Sequence, residues 1–129
     1  MNSTLILGYG STGQDIEKYL ISQNKNYLIH DDKEDIDKKY KFNIENINNI
    51  ETIFVSPGVK KDHEILRKAS SSGIKITTDI ELFSEINNVK LIGVTGTNGK
   101  TSFVTLLDRI LNNYDIKSKT AGNIGNSPL

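Results

Sequence analysis

The sequence predicts an α/β fold: a parallel sheet packed between helices, followed by the opening of a second unit of the same kind. Three observations carry this. Short apolar, β-branched runs near residues 4–7, 27–30, 52–55 and 74–77 alternate with stretches of helical apolar spacing. A glycine-spaced turn, Gly8-Tyr9-Gly10-Ser11-Thr12-Gly13, follows the first run. A second turn, Thr95-Gly96-Thr97-Asn98-Gly99-Lys100-Thr101-Ser102, follows a fifth apolar run at residues 90–95 and precedes another helical pattern.

Residues 4–7 read as a buried strand. The turn after them has G-x-G-x-x-G spacing, and residues 14–24 place Ile16, Tyr19 and Leu20 on one helical face. Residues 27–30 form a second strand that ends at Asp31-Asp32. Asp31 lies 21 positions beyond Gly10, near the spacing of about 20 found in dinucleotide-binding units. Strand, glycine turn, helix, strand and acid together predict a Rossmann-like turn that holds a pyrophosphate. The other reading is a plain βαβ unit whose glycines only allow close packing.

Residues 33–50 are charged and rich in asparagine, and predict a loop with a short strand near 41–44 and one helical turn. Residues 52–55 are a further strand, closed by the turn Ser56-Pro57-Gly58. Such a turn lies where parallel sheets bind ligands, although a turn without a ligand fits equally well. Asp62 is placed to cap a helix reaching residue 71, with Ile65, Leu66 and Ala69 inward and Gly73 at its stop. After a strand at 74–77, Thr78 and Glu81 have capping-box spacing, and the helix they open carries Ile80, Leu82, Phe83 and Ile86. It should end near residues 87–88. His30 and His63 are the two histidines of the chain. They read as one strand-end and one helix-surface residue, not as a metal-ligand pair.

The second glycine turn suits a phosphate. Glycines let backbone N–H groups curl round an anion, and the helix N-terminus adds partial positive charge. Lys100 supplies a point charge, and a hydroxyl at Thr101 or Ser102 can ligate Mg²⁺. The standard G-x-x-x-x-G-K-[ST] spacing wants glycine at position 94 and meets Val94, so the turn is a variant phosphate loop or a chance Gly-Lys-Thr turn. The helix beyond covers residues 100–113, with Phe103, Leu106, Leu107, Ile110 and Leu111 on a broad apolar face, and residues 116–120 open another strand. Residues 1–88 are therefore expected to form a Rossmann-like domain, and residues 89–129 the first strand, loop and helix of a P-loop-type ATPase domain. Such a segment rarely builds its own core, so the chain is expected to be the front of a longer protein. The alternative is one continuous doubly wound domain of five strands.

Composition narrows the classes. The 129 residues suffice for one ordinary domain, and 16 basic residues balance 16 acidic ones. Zero net charge argues against a general nucleic-acid or anionic-membrane binder. The absence of cysteine excludes disulfides and thiolate metal sites and is compatible with a reducing cytoplasm. No apolar run approaches the ~20 residues of a membrane helix. A cytoplasmic monomer without nucleic-acid or membrane partners is expected.

The two turns in this order resemble the Mur ligases of bacterial peptidoglycan synthesis. The resemblance also rests on Ser56-Pro57-Gly58-Val59, Thr78-Asp79-Ile80-Glu81-Leu82-Phe83 and Gly122-Asn123-Ile124-Gly125. The pieces match best the members that join D-glutamate to UDP-N-acetylmuramoyl-L-alanine. What the resemblance implies is specific. The first domain would bind the UDP part of that substrate: Ser11, Thr12 and Gly13 beside the pyrophosphate, Asp31 and Asp32 at the uracil, Ser56 and Asn123 along the substrate channel. Gly96, Thr97, Asn98, Gly99, Lys100, Thr101 and Ser102 would hold ATP, with Lys100 neutralising the transferred phosphate and Thr101 or Ser102 on Mg²⁺. The family activates the L-alanyl carboxylate as an acyl phosphate, which the amine of D-glutamate attacks. The family's further metal ligands and its D-glutamate domain have no counterpart here, so the chain alone is expected to be inactive.

Other readings stand beside this one. G-x-G-x-x-G with Asp31 also fits an NAD-binding oxidoreductase domain, which leaves the lysine loop unexplained. A non-enzymatic nucleotide-binding module would explain the missing catalytic groups. A neighbouring Mur ligase or a folylpolyglutamate synthetase shares the lysine loop, and the Rossmann-like first domain counts against the folate enzyme.

Overall fold

The computed structural model describes residues 3–33 and 35–122. In chain order its elements are β1 (Ser3–Leu7), α1 (Ser11–Ser22), β2 (Tyr27–His30), a 3₁₀ turn (Ile44–Asn49), β3 (Ile50–Val55), α2 (Glu64–Ser71), β4 (Lys75–Thr77), α3 (Asp79–Ile86) and α4 (Lys100–Asn113). The strands form one parallel sheet in the order β2-β1-β3-β4. The predicted α/β class and its four strands are therefore present.

The pleat sends successive side chains to opposite faces. On β1, Leu5 and Leu7 pack with Phe42, Ile47, Ile53, Ile65 and Ala69. Ile6 between them points the other way, to Ile16, Leu20, Ile29, Phe54 and Leu82. A parallel sheet covered on both faces needs this unbroken apolar strand. Leu5, Ile6 and Ile53 are wholly excluded from solvent, and each such burial contributes about 1.5–3 kcal/mol. The edge of β2 is partly covered: Ile29 N–H donates to Tyr40 O at 2.7 Å, and Phe42 N–H to Ile29 O at 2.9 Å. The short strand expected near 41–44 is this single bridge, between Ile29 and Lys41.

Local details differ from expectation in two places. First, α2 is capped by His63, not Asp62: the Nδ1 of His63 accepts from Ile65 N at 3.2 Å. A turn closed by His63 N–H on Lys60 O leaves Asp62 one residue short of the cap. The capping box expected for α3 is present, Glu81 N to Thr78 Oγ1 and Thr78 N to Glu81 Oε2; of the helix's apolar residues Leu82 carries the packing, while Ile80 and Ile86 are exposed. Two turns of helix offer only one face to the sheet.

The second difference is larger. Residues 90–95 form no strand, and neither do residues 116–120. A strand of a parallel sheet is held by ladder bonds to neighbours, and among the described residues nothing pairs with either run. The turn and the helix expected at residues 96–113 do form, without the strand expected before them. No residue of α4 is buried; Phe103 is 54% exposed and Leu106 57%.

Candidate functional site

The C-terminal ends of β1, β2 and β3 lie side by side, and hydrogen bonds tie the loops leaving them together. Gly8 N–H donates to His30 O at 2.8 Å, and Ser56 N–H to Leu7 O at 2.9 Å. The Ser56 hydroxyl donates to Gly8 O at 2.7 Å. The Asp31 carboxylate accepts from Tyr9 N at 2.6 Å and from Lys33 N at 2.8 Å. Asp31 and Ser56, one from each neighbouring strand end, thus fix the first glycine turn.

The glycines of that turn have separate reasons. Gly8 has φ +90°, and a Cβ there would meet Ser56 Cβ and Val59 Cγ2 at 2.9 Å. A Cβ on Gly13 would lie 2.3 Å from Gly8 O, so the helix and the turn touch backbone to backbone. A Cβ on Gly10 would meet nothing within 4 Å. Gly10 is also the N-cap of α1, with no side-chain cap and no acidic residue in the first turn. The amide end of α1, where Ser11, Thr12 and Gly13 begin the helix, is therefore an uncapped N-terminus in open space. That arrangement suits an anion such as a pyrophosphate.

Tyr9 points away from the turn. Its hydroxyl and that of Tyr27 both donate to Glu17, the latter at 2.8 Å. The bond to Glu17, then burial, push the Tyr9 phenol up to about 12. Burial, then the Glu17 bond, push Tyr27 up as well. Tyr27 also stacks on Tyr40 with ring centroids 5.1 Å apart.

Asp32 faces a different group of residues. Its Oδ1 lies 3.3 Å from His30 Nε2 and 3.4 Å from His63 Nε2. Because His63 Nδ1 accepts from Ile65 N, a neutral His63 carries its proton on Nε2 and donates it to Asp32. Hydrogen bonding from His63, then from His30, holds the Asp32 carboxyl below the usual carboxylate range. These residues border an open cleft of about 660 Å³ with Lys38, Lys41 and Phe42. His30 stands at a strand end and His63 at a helix, as expected, and the fold also brings their rings together, to a centroid distance of 5.7 Å. One ends β2 and the other begins α2, and in a parallel sheet strand ends and the starts of the following helices share one edge. That topological rule was the available signal.

The lysine loop stands by itself. Its hollow of about 260 Å³ is lined by Thr97, Asn98, Gly99, Lys100, Thr101 and Ser102. Gly99, with φ +76°, is the N-cap of α4, and no side chain caps this helix either. The Lys100 ammonium folds back onto Gly96 O, with Thr97 O at 3.4 Å. Thr101 and Ser102 are exposed in the first turn. An uncapped helix end, an ammonium bound among the described residues to carbonyls alone, and two adjacent hydroxyls fit a phosphate chain with Mg²⁺. No residue of the first glycine turn lines this hollow. Asn123 lies outside the described residues.

The fold and the first turn define a Rossmann-like α/β unit with an anion-ready helix end. Comparison with known proteins narrows the class. A family model described as Mur ligase MurD-like, N-terminal domain, matches residues 2–78, and the chain belongs to that family. It is 46% identical over 82 residues to a UDP-N-acetylmuramoylalanine–D-glutamate ligase of Rickettsia conorii, covering 63% of this chain and 16% of the relative. It is 37% identical to the ligase of the same name from Francisella philomiragia, over 100% of this chain and 31% of the relative. The Rickettsia bellii ligase is 36% identical over 93% of the chain and 29% of its own length. The chain thus spans about a third or less of the length of these relatives.

Proposed function

We propose that residues 1–88 bind the UDP part of UDP-N-acetylmuramoyl-L-alanine and that residues 89–129 open an ATP-binding domain. Together they would serve a ligase of peptidoglycan precursor synthesis that adds D-glutamate through an acyl phosphate. The carrying observation is the uncapped α1 N-terminus behind Gly10, held open by Asp31 and Ser56. The names of the relatives support the substrate, and the turn supports its diphosphate.

In this reading the amide end of α1, at Ser11, Thr12 and Gly13, receives the diphosphate. Asp31 and Asp32 sit toward the uracil, with Asp31 also keeping the turn in shape through Tyr9 N. Ser56 and Asn123 border the channel to the L-alanyl carboxylate. Gly96 to Ser102 hold ATP, and Lys100 exchanges its carbonyl partners for phosphate oxygens. Bound Mg²⁺ supplies charge neutralisation to the phosphates, with Thr101 or Ser102 as a ligand. Lys100 acts electrostatically, where negative charge grows on the transferred group.

Calorimetry with UDP, NADH and Mg-ATP in parallel tests this. UDP should bind and NADH should not, while NADH binding alone would overturn the proposal in favour of an oxidoreductase domain. Lys100→Met should abolish any Mg-ATP signal and leave UDP binding unchanged. The 129-residue chain should release no phosphate in a D-glutamate-dependent manner.

A further inference from the structure

We propose that His30, Asp32 and His63 form a binding site for one divalent transition-metal ion, with Zn²⁺ the best match to the donors. Their ligand atoms all lie within 4.8 Å of one another. Asp32 Oδ1 is 3.3 Å from His30 Nε2 and 3.4 Å from His63 Nε2. A tetrahedral ion with bonds of about 2.0–2.1 Å places its ligands about 3.3–3.4 Å apart. Two of the three ligand separations therefore already match a zinc coordination sphere. Two imidazoles and one carboxylate select a borderline ion such as Zn²⁺ over Mg²⁺ or Ca²⁺, which prefer all-oxygen shells.

The donors sit on ordered elements. His30 ends β2 and meets Phe42 edge-on at a centroid distance of 6.3 Å. His63 is the cap of α2, and its side chain is 15% exposed. The rings meet at 73° with centroids 5.7 Å apart. Only Asp32, with its side chain 69% exposed, reaches in from solvent. The cleft beside them leaves a fourth position for water or an anionic oxygen, which Lys38 and Lys41 on its wall would favour.

The site is distinct from the lysine loop, which offers only oxygen donors to a metal. It adjoins the proposed uracil end of the first site and shares Asp32 with it, whereas His30 and His63 have no part in the proposed UDP contacts. Binding has one local consequence. A metal on His63 Nε2 moves the ring proton to Nδ1, so His63 can no longer accept from Ile65 N. Metal binding and capping of α2 therefore compete, and the amide of Ile65 reports the exchange.

The test is titration of the 129-residue chain with ZnCl₂ alone, by calorimetry, and with Co²⁺, by visible absorption. One Zn²⁺ per chain is expected, along with the strong visible bands of four-coordinate cobalt and a shift of the Ile65 amide resonance. His30→Gln, Asp32→Asn and His63→Asn should each weaken Zn²⁺ binding at least tenfold. Asparagine at position 63 keeps a cap acceptor, so that variant separates loss of the ligand from loss of the helix cap. Absence of binding overturns the proposal, as does unchanged affinity in the His30→Gln/His63→Asn double variant. Six-coordinate cobalt would do the same. UDP binding, measured on His30→Gln and His63→Asn, which leave Asp31 and Asp32 in place, stands or falls separately.

Discussion

Gly13 and Gly10 belong to one motif but answer to different constraints. At Gly13 an added Cβ would run into the carbonyl of Gly8, which neither helix nor turn can yield. Gly13→Ala should cost on the order of 2–3 kcal/mol in urea unfolding. At Gly10 there is open space, so Gly10→Ala should leave unfolding nearly unchanged and weaken UDP binding by crowding the anion. A reversed outcome would mean that the turn serves packing alone. Tyr9 makes a residue-scale prediction in pH. Its phenol is raised from 10.0 to about 12 by Glu17 and burial. Folding therefore favours the protonated phenol. The contribution is complete below the unfolded value and fades as pH climbs through the folded one. Tyrosinate absorbance at Tyr9 should appear at higher pH in the folded chain than in the unfolded one, and Glu17→Gln should remove much of that lag.

The elements divide by what surrounds them. Four strands built on apolar runs found partners inside the chain, and their positions were legible from sequence to within about two residues. The run at 90–95 is no less apolar, yet forms no strand, because periodicity records the tendency to be buried and says nothing of whether a neighbour exists. α4 formed in the same surroundings because a helix closes its hydrogen bonds within itself. None of its apolar residues is buried, and Phe103, Leu106 and Ile110 are largely exposed, whereas packing supplies most helical stability in proteins. Amide hydrogen exchange should accordingly be fast along α4 and slow along β1 and β3, by several orders of magnitude. Equal protection would overturn this account. The pairing of His30 with His63 was hidden for a related reason: they lie 33 positions apart, and only the topology brings them to one edge.

At the scale of the molecule, the sheet is a single cooperative body whose two apolar layers share β1 and β3. Ile53 is fully buried where these strands pair. Ile53→Ala should lower stability by about 2–5 kcal/mol and shift the unfolding of β1 and β4 together, as followed by exchange. The strand order β2-β1-β3-β4 also has a consequence in time. β1 is synthesised before both of its neighbours yet ends at the centre of the sheet, and Thr4 pairs with Thr52, 48 positions later. A ribosome extends a chain at about 5–20 residues per second. For some seconds, then, Leu5, Ile6 and Leu7 have at most one of their two final neighbours. The segment that ends up the most protected in the folded domain is, during its synthesis, the one that waits longest for cover.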